Sequence, residues 1–251
     1  MEKKIKKDNS CEMNNLSDAN IHDVLTRRKI NGEPLNIYKE EDGALYSDNG
    51  QRLWRVVDEK KFIVPDGVVV ICDRAFYKCS PLRHVYLPES LKVIGNEAFW
   101  QCKELQSINL PHNLKIIGEY AFNYCWLIKS INIPSSVIEI GHNAFSFCMA
   151  LTSINIPEGV TVVREFTFYW CISLTNVYIP KSVRKIERFA FDGCKALKSI
   201  YLPNSVRTID KGAFNMCESL ERIEIPKGTL DKFSKLLPDD RDKLVEININ
   251  R

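Results

Sequence analysis

From residue 62 onward the chain repeats one order of apolar and polar positions, and the order restarts every 23 residues. Pro stands at 65, 88, 111, 134, 157, 180, 203 and 226, and Phe at 76, 99, 122, 145, 168, 191 and 214. Cys follows three places behind each Phe, at 79, 102, 125, 148, 171, 194 and 217. An unbroken period of this length predicts a solenoid of stacked units, each covering the apolar face of the next. The unit at 151–173 is representative. Leu151, Ile154 and Ile156 point inward from a short strand with one buried face, and Pro157, which cannot donate a ladder bond, ends it. Val160 and Val163 predict a second extended segment, which Gly95, Gly118 and Gly141 complete in other units. The element Ala144-Phe145-Ser146-Phe147-Cys148, like its counterparts, predicts a helical turn with Phe and Cys inside. Each coil is thus expected to hold two strands and one turn. Inner parallel strands are expected at 62–64, 85–87, 108–110, 131–133, 154–156, 177–179, 200–202, 223–225 and 247–249. At about 4.8 Å per strand, the stack is roughly 40 Å long.

The ends depart from the period. Residues 1–15 are polar and charged and are expected to form a disordered tail. The stretch 16–42 is expected to be a short helix and linker, capped by Ser17 and ended by Asn31-Gly32 and Pro34. Residues 43–65 read as an N-terminal cap, a hairpin about Asp48-Asn49-Gly50 followed by the first strand. The seven repeats occupy 66–226, and 227–251 reads as a C-terminal cap of a helix over 229–237 and a strand.

The unit Leu-x-x-Ile-x-Ile-Pro-x-x-Val-x-x-Ile-Gly-x-x-Ala-Phe-x-x-Cys resembles the BspA-type leucine-rich repeat, over roughly residues 43–251. Cys72, Arg164, Glu187 and Asp210 depart from it at the Gly position, and Thr167 replaces the usual Ala. The resemblance implies a leucine-rich-repeat solenoid of short parallel β-strands that acts as a non-catalytic protein-interaction scaffold. That family consists mostly of secreted or cell-surface bacterial and protist proteins that resemble adhesins. A surface adhesin or antigen binding host or cell-surface ligands is therefore the alternative expectation.

Charge and composition narrow the function further. Among 251 residues, 35 Lys and Arg face 32 Asp and Glu, for a formal net charge of +3, and the signs are interspersed. No nucleic-acid partner is expected. The basic start Met1-Glu2-Lys3-Lys4 leads into polar residues with no apolar run, so neither a signal peptide nor a membrane span is expected. A cytoplasmic location is expected, with cell surface or secretion as the alternative. Seven of the nine cysteines lie in one row of equivalent positions, where Cys serves as a small buried apolar residue; only Cys11 is expected to be exposed. A line of thiols converges on no point that a metal could occupy. His22, His84, His112 and His142 fall at unrelated repeat positions, and the glycines are isolated turn residues. Neither catalytic site, cofactor nor metal is expected.

Two surfaces stand out. On the strands, His84, Tyr86, Ser107, Asn109, Ser130, Asn132, Ser153, Asn155, Asn176, Tyr178, Ser199 and Tyr201 alternate with the buried positions. Their hydroxyls, amides and rings suit a peptide or glycan, or else merely satisfy one another along the sheet. The second surface lies in the slots flanking each repeated Cys. Outer repeats place Lys78, Gln101, Gly193, Ser80, Lys103, Lys195 and Glu218 there, so the fold does not demand large apolar side chains. The central repeats place Tyr124, Phe147 and Trp170 before the Cys and Trp126, Met149 and Ile172 after it, with Trp100 and Tyr169 nearby. Such a patch marks a protein-partner or self-association interface, or a surface covered by the chain's own terminal segments.

Overall fold

The computed structural model describes residues 29–30, 33–34, 38–41, 43–47, 50–56 and 59–248. The expected tail at 1–15, the expected helix after Ser17 and Cys11 lie outside the described residues.

The repeats form a stack of coils with a 23-residue offset between partners. One wall of the stack contains Lys61–Ile63, His84–Tyr86, Ser107–Ile108, Ser153–Asn155, Asn176–Tyr178, Ser199–Tyr201, Arg222–Pro226 and Leu244–Ile247. Its pairs are parallel, as in Lys61↔His84, Ser107↔His84 and Ser153↔Asn176, and Ser130 joins through a bridge to Ser153. A second wall carries Val70–Ile71, Val93–Ile94, Ile116–Ile117 and Glu139–Ile140, then Val162–Val163, Lys185–Ile186 and Thr208–Ile209, again parallel. Period-two alternation puts Val85, Ile108, Ile131, Ile154, Ile200 and Ile223 into one continuous core with Ile71, Ile94, Ile117, Ile140, Val163, Ile186 and Ile209. Val70, Cys72, Val93 and Ile116, on the opposite face of the second wall, form a small separate cluster with Trp54 and Val69 packed on it.

Coils approach closely at Gly95, Gly118 and Gly141, whereas Cys72, Arg164, Glu187 and Asp210 fill the equivalent slot in the other coils. A Cβ on Gly118 would lie 2.6 Å from the carbonyl carbon of Gly95, and one on Gly141 would lie 2.5 Å from the nitrogen of Glu119. No side chain fits between backbones at that distance.

The ends differ from expectation in three places. The stretch 16–42, read as helix and linker, contains strands at Lys29–Ile30, Glu33–Pro34 and Tyr38–Glu41. Ile30 pairs antiparallel with Glu33, and Glu41 with Ala44. Gly43, between the second of these pairs, has φ +72°, a conformation open to glycine. Ala44–Ser47 pairs antiparallel with Arg52–Val56, whose outer edge pairs parallel with Val70–Ile71, so these strands extend the second wall. At the other end the last strand is Leu244–Ile247 rather than 247–249, with Ile223↔Leu244 as register. A helix, Leu230–Leu236, and a 3-10 segment, Pro238–Lys243, replace the second strand and turn and return the chain sooner. Phe233 of that helix is fully buried against the end of the core.

Candidate functional site

The third side of each coil is the turn that ends in Cys, and its backbone accounts for nearly every donor. Within a coil, Ala121 N–H donates to Gly118 O, Asn123 N–H to Tyr120 O and Cys125 N–H to Phe122 O. The intervening residues donate to the next coil: Tyr120 N–H to His142 O, Phe122 N–H to Ala144 O and Tyr124 N–H to Ser146 O. This alternation requires left-handed backbone at two slots. Five places before Cys, Arg74, Glu97, Tyr120, Asn143, Phe166 and Phe189 have φ of 54–63°. Immediately before Cys, Lys78, Gln101, Tyr124, Phe147, Trp170 and Met216 have φ of 51–61°, and Gly193 has +75°. Left-handed backbone favours glycine, and a bulky side chain there carries strain.

Inside the turn, Phe and Cys are buried as expected. Phe76, Phe99, Phe122, Phe145, Phe168 and Phe191 are fully buried and stack in a column, with ring centroids 4.7 to 5.7 Å apart and interplanar angles of 2–12°. The cysteines also bond across coils. Cys102 Sγ donates to Phe76 O at 3.1 Å, Cys125 to Phe99 O at 3.2 Å, and Cys148, Cys171, Cys194 and Cys217 do likewise. The row of thiols therefore ties coil to coil. Burial raises these thiols well above their ordinary range, to about 12 for Cys171 and Cys217. All eight described cysteines are buried and free of disulfides.

Outside the turn, rings form two connected rows. Tyr77 stacks on Trp100 (4.7 Å), Trp100 meets Tyr124 edge-on (6.2 Å), Tyr124 stacks on Phe147 (4.4 Å, 5°), and Phe147 lies against Trp170 (6.3 Å). The other row runs Tyr120, His142, Phe166, Phe189, and Tyr169 links the two by edge contacts to Phe147 and Phe166. Each row ends over a glycine. A Cβ on Gly193 would fall 2.9 Å from the Trp170 ring, and one on Gly212 would fall 2.5 Å from the Phe189 ring. Cations cover the margins: Lys78 sits over Trp100, Lys103 over Trp126, Arg188 over Phe189 and Lys195 over Trp170.

Of the six residues expected in an exposed patch, Tyr124, Trp126, Phe147, Met149, Trp170 and Ile172 are all half-buried rather than exposed. The rings cover one another's faces and present their edges. Tyr120, Phe166 and Phe189 share a slot four residues before the one flanking Cys, which holds Arg74, Glu97, Asn143 and Gly212 in the other coils, and His142 stands one place before Asn143; the mixed occupancy hides this row in the sequence. Tyr120 OH lies 3.0 Å from His142 Nε2, and burial, with Glu119, Glu97 and Glu165 nearby, raises the phenol above its ordinary range. Among the described residues no group of His, Cys, Asp and Glu is arranged to hold a metal ion.

The strand face is open. Tyr86 and Tyr178 are 49% and 45% exposed, and Ser107, Asn109, Ser130, Asn132, Ser153, Asn155 and Asn176 are exposed, with Tyr201 half-buried. His84 Nδ1 lies 3.2 Å from Ser107 Oγ, Asn176 Nδ2 donates to Thr175 Oγ1, and Tyr178 OH donates to Glu158. His84 and Ser107 thus satisfy each other across adjacent coils, while the side chains of Asn109, Asn132 and Asn155 are not bonded to one another.

A family profile described as "BspA type Leucine rich repeat region" matches residues 56–168 and 161–251, in six copies. Among solved structures, a leucine-rich cell surface protein from Faecalibacterium prausnitzii is 31% identical with a TM-score of 0.68, and the match covers 75% of this chain and 54% of that one. A leucine-rich repeat protein from Eubacterium ventriosum is 26% identical with a TM-score of 0.67, covering 72% of this chain and 50% of its own. One from Bacteroides ovatus is 28% identical with a TM-score of 0.54, covering 76% and 63%. The chain thus spans half to under two thirds of these proteins' lengths. No curated protein matches it. Among the described residues no helix is long and apolar enough to cross a membrane.

Proposed function

Because this chain belongs to the BspA-type leucine-rich repeat family, we propose that it is a non-catalytic binding scaffold whose contact surface is the aromatic turn face. One observation carries this reading. Large apolar side chains occupy the outer turn slots of the central coils at left-handed φ, as with Phe147 at +58°, whereas Lys78, Gln101 and Gly193 fill the same slot in outer coils. The fold therefore does not call for them, and they carry backbone strain where they stand. Because the stacked rings show their edges, the face suits apolar side chains of a protein better than the flat faces of a sugar. The strand face is the second contact surface, suited to a peptide or glycan.

Site-specific photocrosslinking separates the two. A crosslinking residue at position 147 and another at position 155 are compared in the cells that produce the protein. Protein adducts from 147 support the aromatic face, adducts only from 155 move the contact to the strands, and none from either position ends the scaffold reading.

The relative from Faecalibacterium prausnitzii is named a cell surface protein, and that favours a second reading as a surface adhesin. Protection of the intact chain from protease added to whole cells would contradict it.

A further inference from the structure

We infer that the N-terminal segment 17–28 packs on the outer face of the second wall, over Val70, Cys72, Val93 and Ile116.

The outer face of that wall changes character along the stack. Paired positions run Val70↔Val93, Val93↔Ile116 and Ile116↔Glu139, then Val162↔Lys185 and Lys185↔Thr208. The first three coils are thus apolar at this slot, and the fourth, sixth and seventh hold Glu, Lys and Thr. Thr208 is exposed, and Glu139 and Lys185 are half-buried, as an outward slot requires. Val70, Val93 and Ile116 occupy the same slot yet are only 1%, 3% and 2% exposed, with Cys72 beside them at 5%. A single chain buries them, so their cover belongs to this chain.

Among the described residues, the apolar groups packed on this cluster are Trp54 and Val69. Both stand at one end of it. Trp54 belongs to Arg52–Val56, the strand before Val70–Ile71, and that strand is three steps, roughly 14 Å, from the strand of Ile116. On the other side of Ile116, the Glu139 carboxylate is turned to Arg164 by a 3.0 Å ion pair. Cover for Val93 and Ile116 therefore comes from elsewhere in the chain. Residues 1–28 are the one run long enough, since the other stretches outside the described residues hold one to three residues each.

Within that run, Ile21, Val24 and Leu25 stand at helical spacing behind Ser17. A helix over 17–28 is about 18 Å long, against roughly 10 Å between the strands of Val70 and Ile116, and its apolar stripe needs such a strip to lie on. The chain also arrives from the right side. Tyr38–Glu41 is the edge strand of this same sheet, and Lys29 pairs with Pro34, four residues before it. That pairing tethers Lys29 within about 20 Å of the edge. An N-terminal segment held here leaves the aromatic turn face, on another side of each coil, free of it.

The test places a photoreactive benzophenone side chain at position 24 of the full chain and irradiates it at low concentration. Crosslinks are expected within the chain, to peptides holding Val69 and Val70, Lys92 and Val93, or Lys115 and Ile116. Crosslinks to the turn face, crosslinks between chains only, or none at all overturn the inference. A second measurement reads the cover itself. The thiol of Ile116→Cys should resist iodoacetamide, while that of Thr208→Cys, at the equivalent slot of the seventh coil, reacts freely. Adding Val24→Asp and Leu25→Asp should bring the thiol at 116 to the rate of the thiol at 208, with the circular dichroism of the repeats unchanged. Should Ile116→Cys lose the wild-type circular dichroism, Val93→Cys takes its place. A thiol that reacts without the two aspartates, or stays protected with them, sinks the proposal.

Discussion

Phe145 and Phe147 sit two residues apart in one turn and do opposite work. Phe145 is fully buried between Phe122 and Phe168, in a slot that is Phe in all seven coils. Phe147 points outward from left-handed backbone, half-covered by Tyr124 and Tyr169, in a slot that elsewhere holds Lys, Gln, Tyr, Trp, Gly and Met. The inner slot admits one shape because the coils on both sides fix the space. The outer slot is bounded by solvent, so its occupant can be set by whatever binds there. Within a repeat protein, constancy from coil to coil thus marks packing, and variation marks the surface on which specificity is written.

The inner column should show the largest effects, and the sharpest is alkaline. Burial holds Cys72, Cys102, Cys125, Cys148, Cys171, Cys194 and Cys217 protonated well above the ordinary value of 9.0, which they regain on unfolding. Because the folded value is raised, the stability is fully present below pH 9 and falls as pH rises from 9 toward 12. Each thiol contributes about 1.4 kcal/mol per pH unit there, so seven remove on the order of 10 kcal/mol by pH 10. That is comparable to the whole stability of a domain. Circular dichroism should collapse cooperatively between pH 9 and 11, and iodoacetamide should label the thiols only as it does. Thiols labelled in the folded chain would show that the row is not closed.

Next in size is Phe145→Ala, which removes one ring from the stack and should cost roughly 3–5 kcal/mol in urea unfolding. A cost under about 1 kcal/mol would place that ring outside the core. Gly118→Ala tests the close approach of coils and should cost about 1–3 kcal/mol, since its Cβ would meet the Gly95 backbone at 2.6 Å. Gly50→Ala makes the contrast: nothing lies within 4 Å of its Cβ, so only its φ of +69° opposes the change. If the two cost the same, crowding between coils is not what selects glycine at 118.

The inner half of the turn was legible because a buried slot repeated seven times leaves few readings of Phe and Cys. The bond from Cys Sγ to the Phe carbonyl 26 residues earlier was not, since composition shows a small apolar residue and not the donor that completes it. On the outer half, the slots flanking Cys were visible from their apolar run. The row through Tyr120, Phe166 and Phe189 was not, because the same slot holds Arg74, Glu97, Asn143 and Gly212 in the other coils and His142 joins the row from the neighbouring position. At the ends, Asn31-Gly32 and Asp42-Gly43 carried hairpin signals that a helical reading of the preceding apolar residues outweighed. The last strand shifted because its coil folds through a helix and a 3-10 segment, which take up chain differently from two strands.

The smallest expected effect is the one that separates the two phenylalanines most cleanly. Phe147→Gly removes the 4.4 Å stack on Tyr124 and part of a buried ring, a loss of about 1–2 kcal/mol. It also places glycine at φ +58°, where relief of left-handed strain returns about 1 kcal/mol or more. The net change in urea unfolding should therefore lie within about 1 kcal/mol of zero, against the several expected for Phe145→Ala. A loss above about 2 kcal/mol would mean that the outer rings serve the fold as a second core, and the left-handed backbone would then be a cost of stability and not of recognition. A loss near zero means that the chain carries Phe147 for a reason that lies outside its own fold.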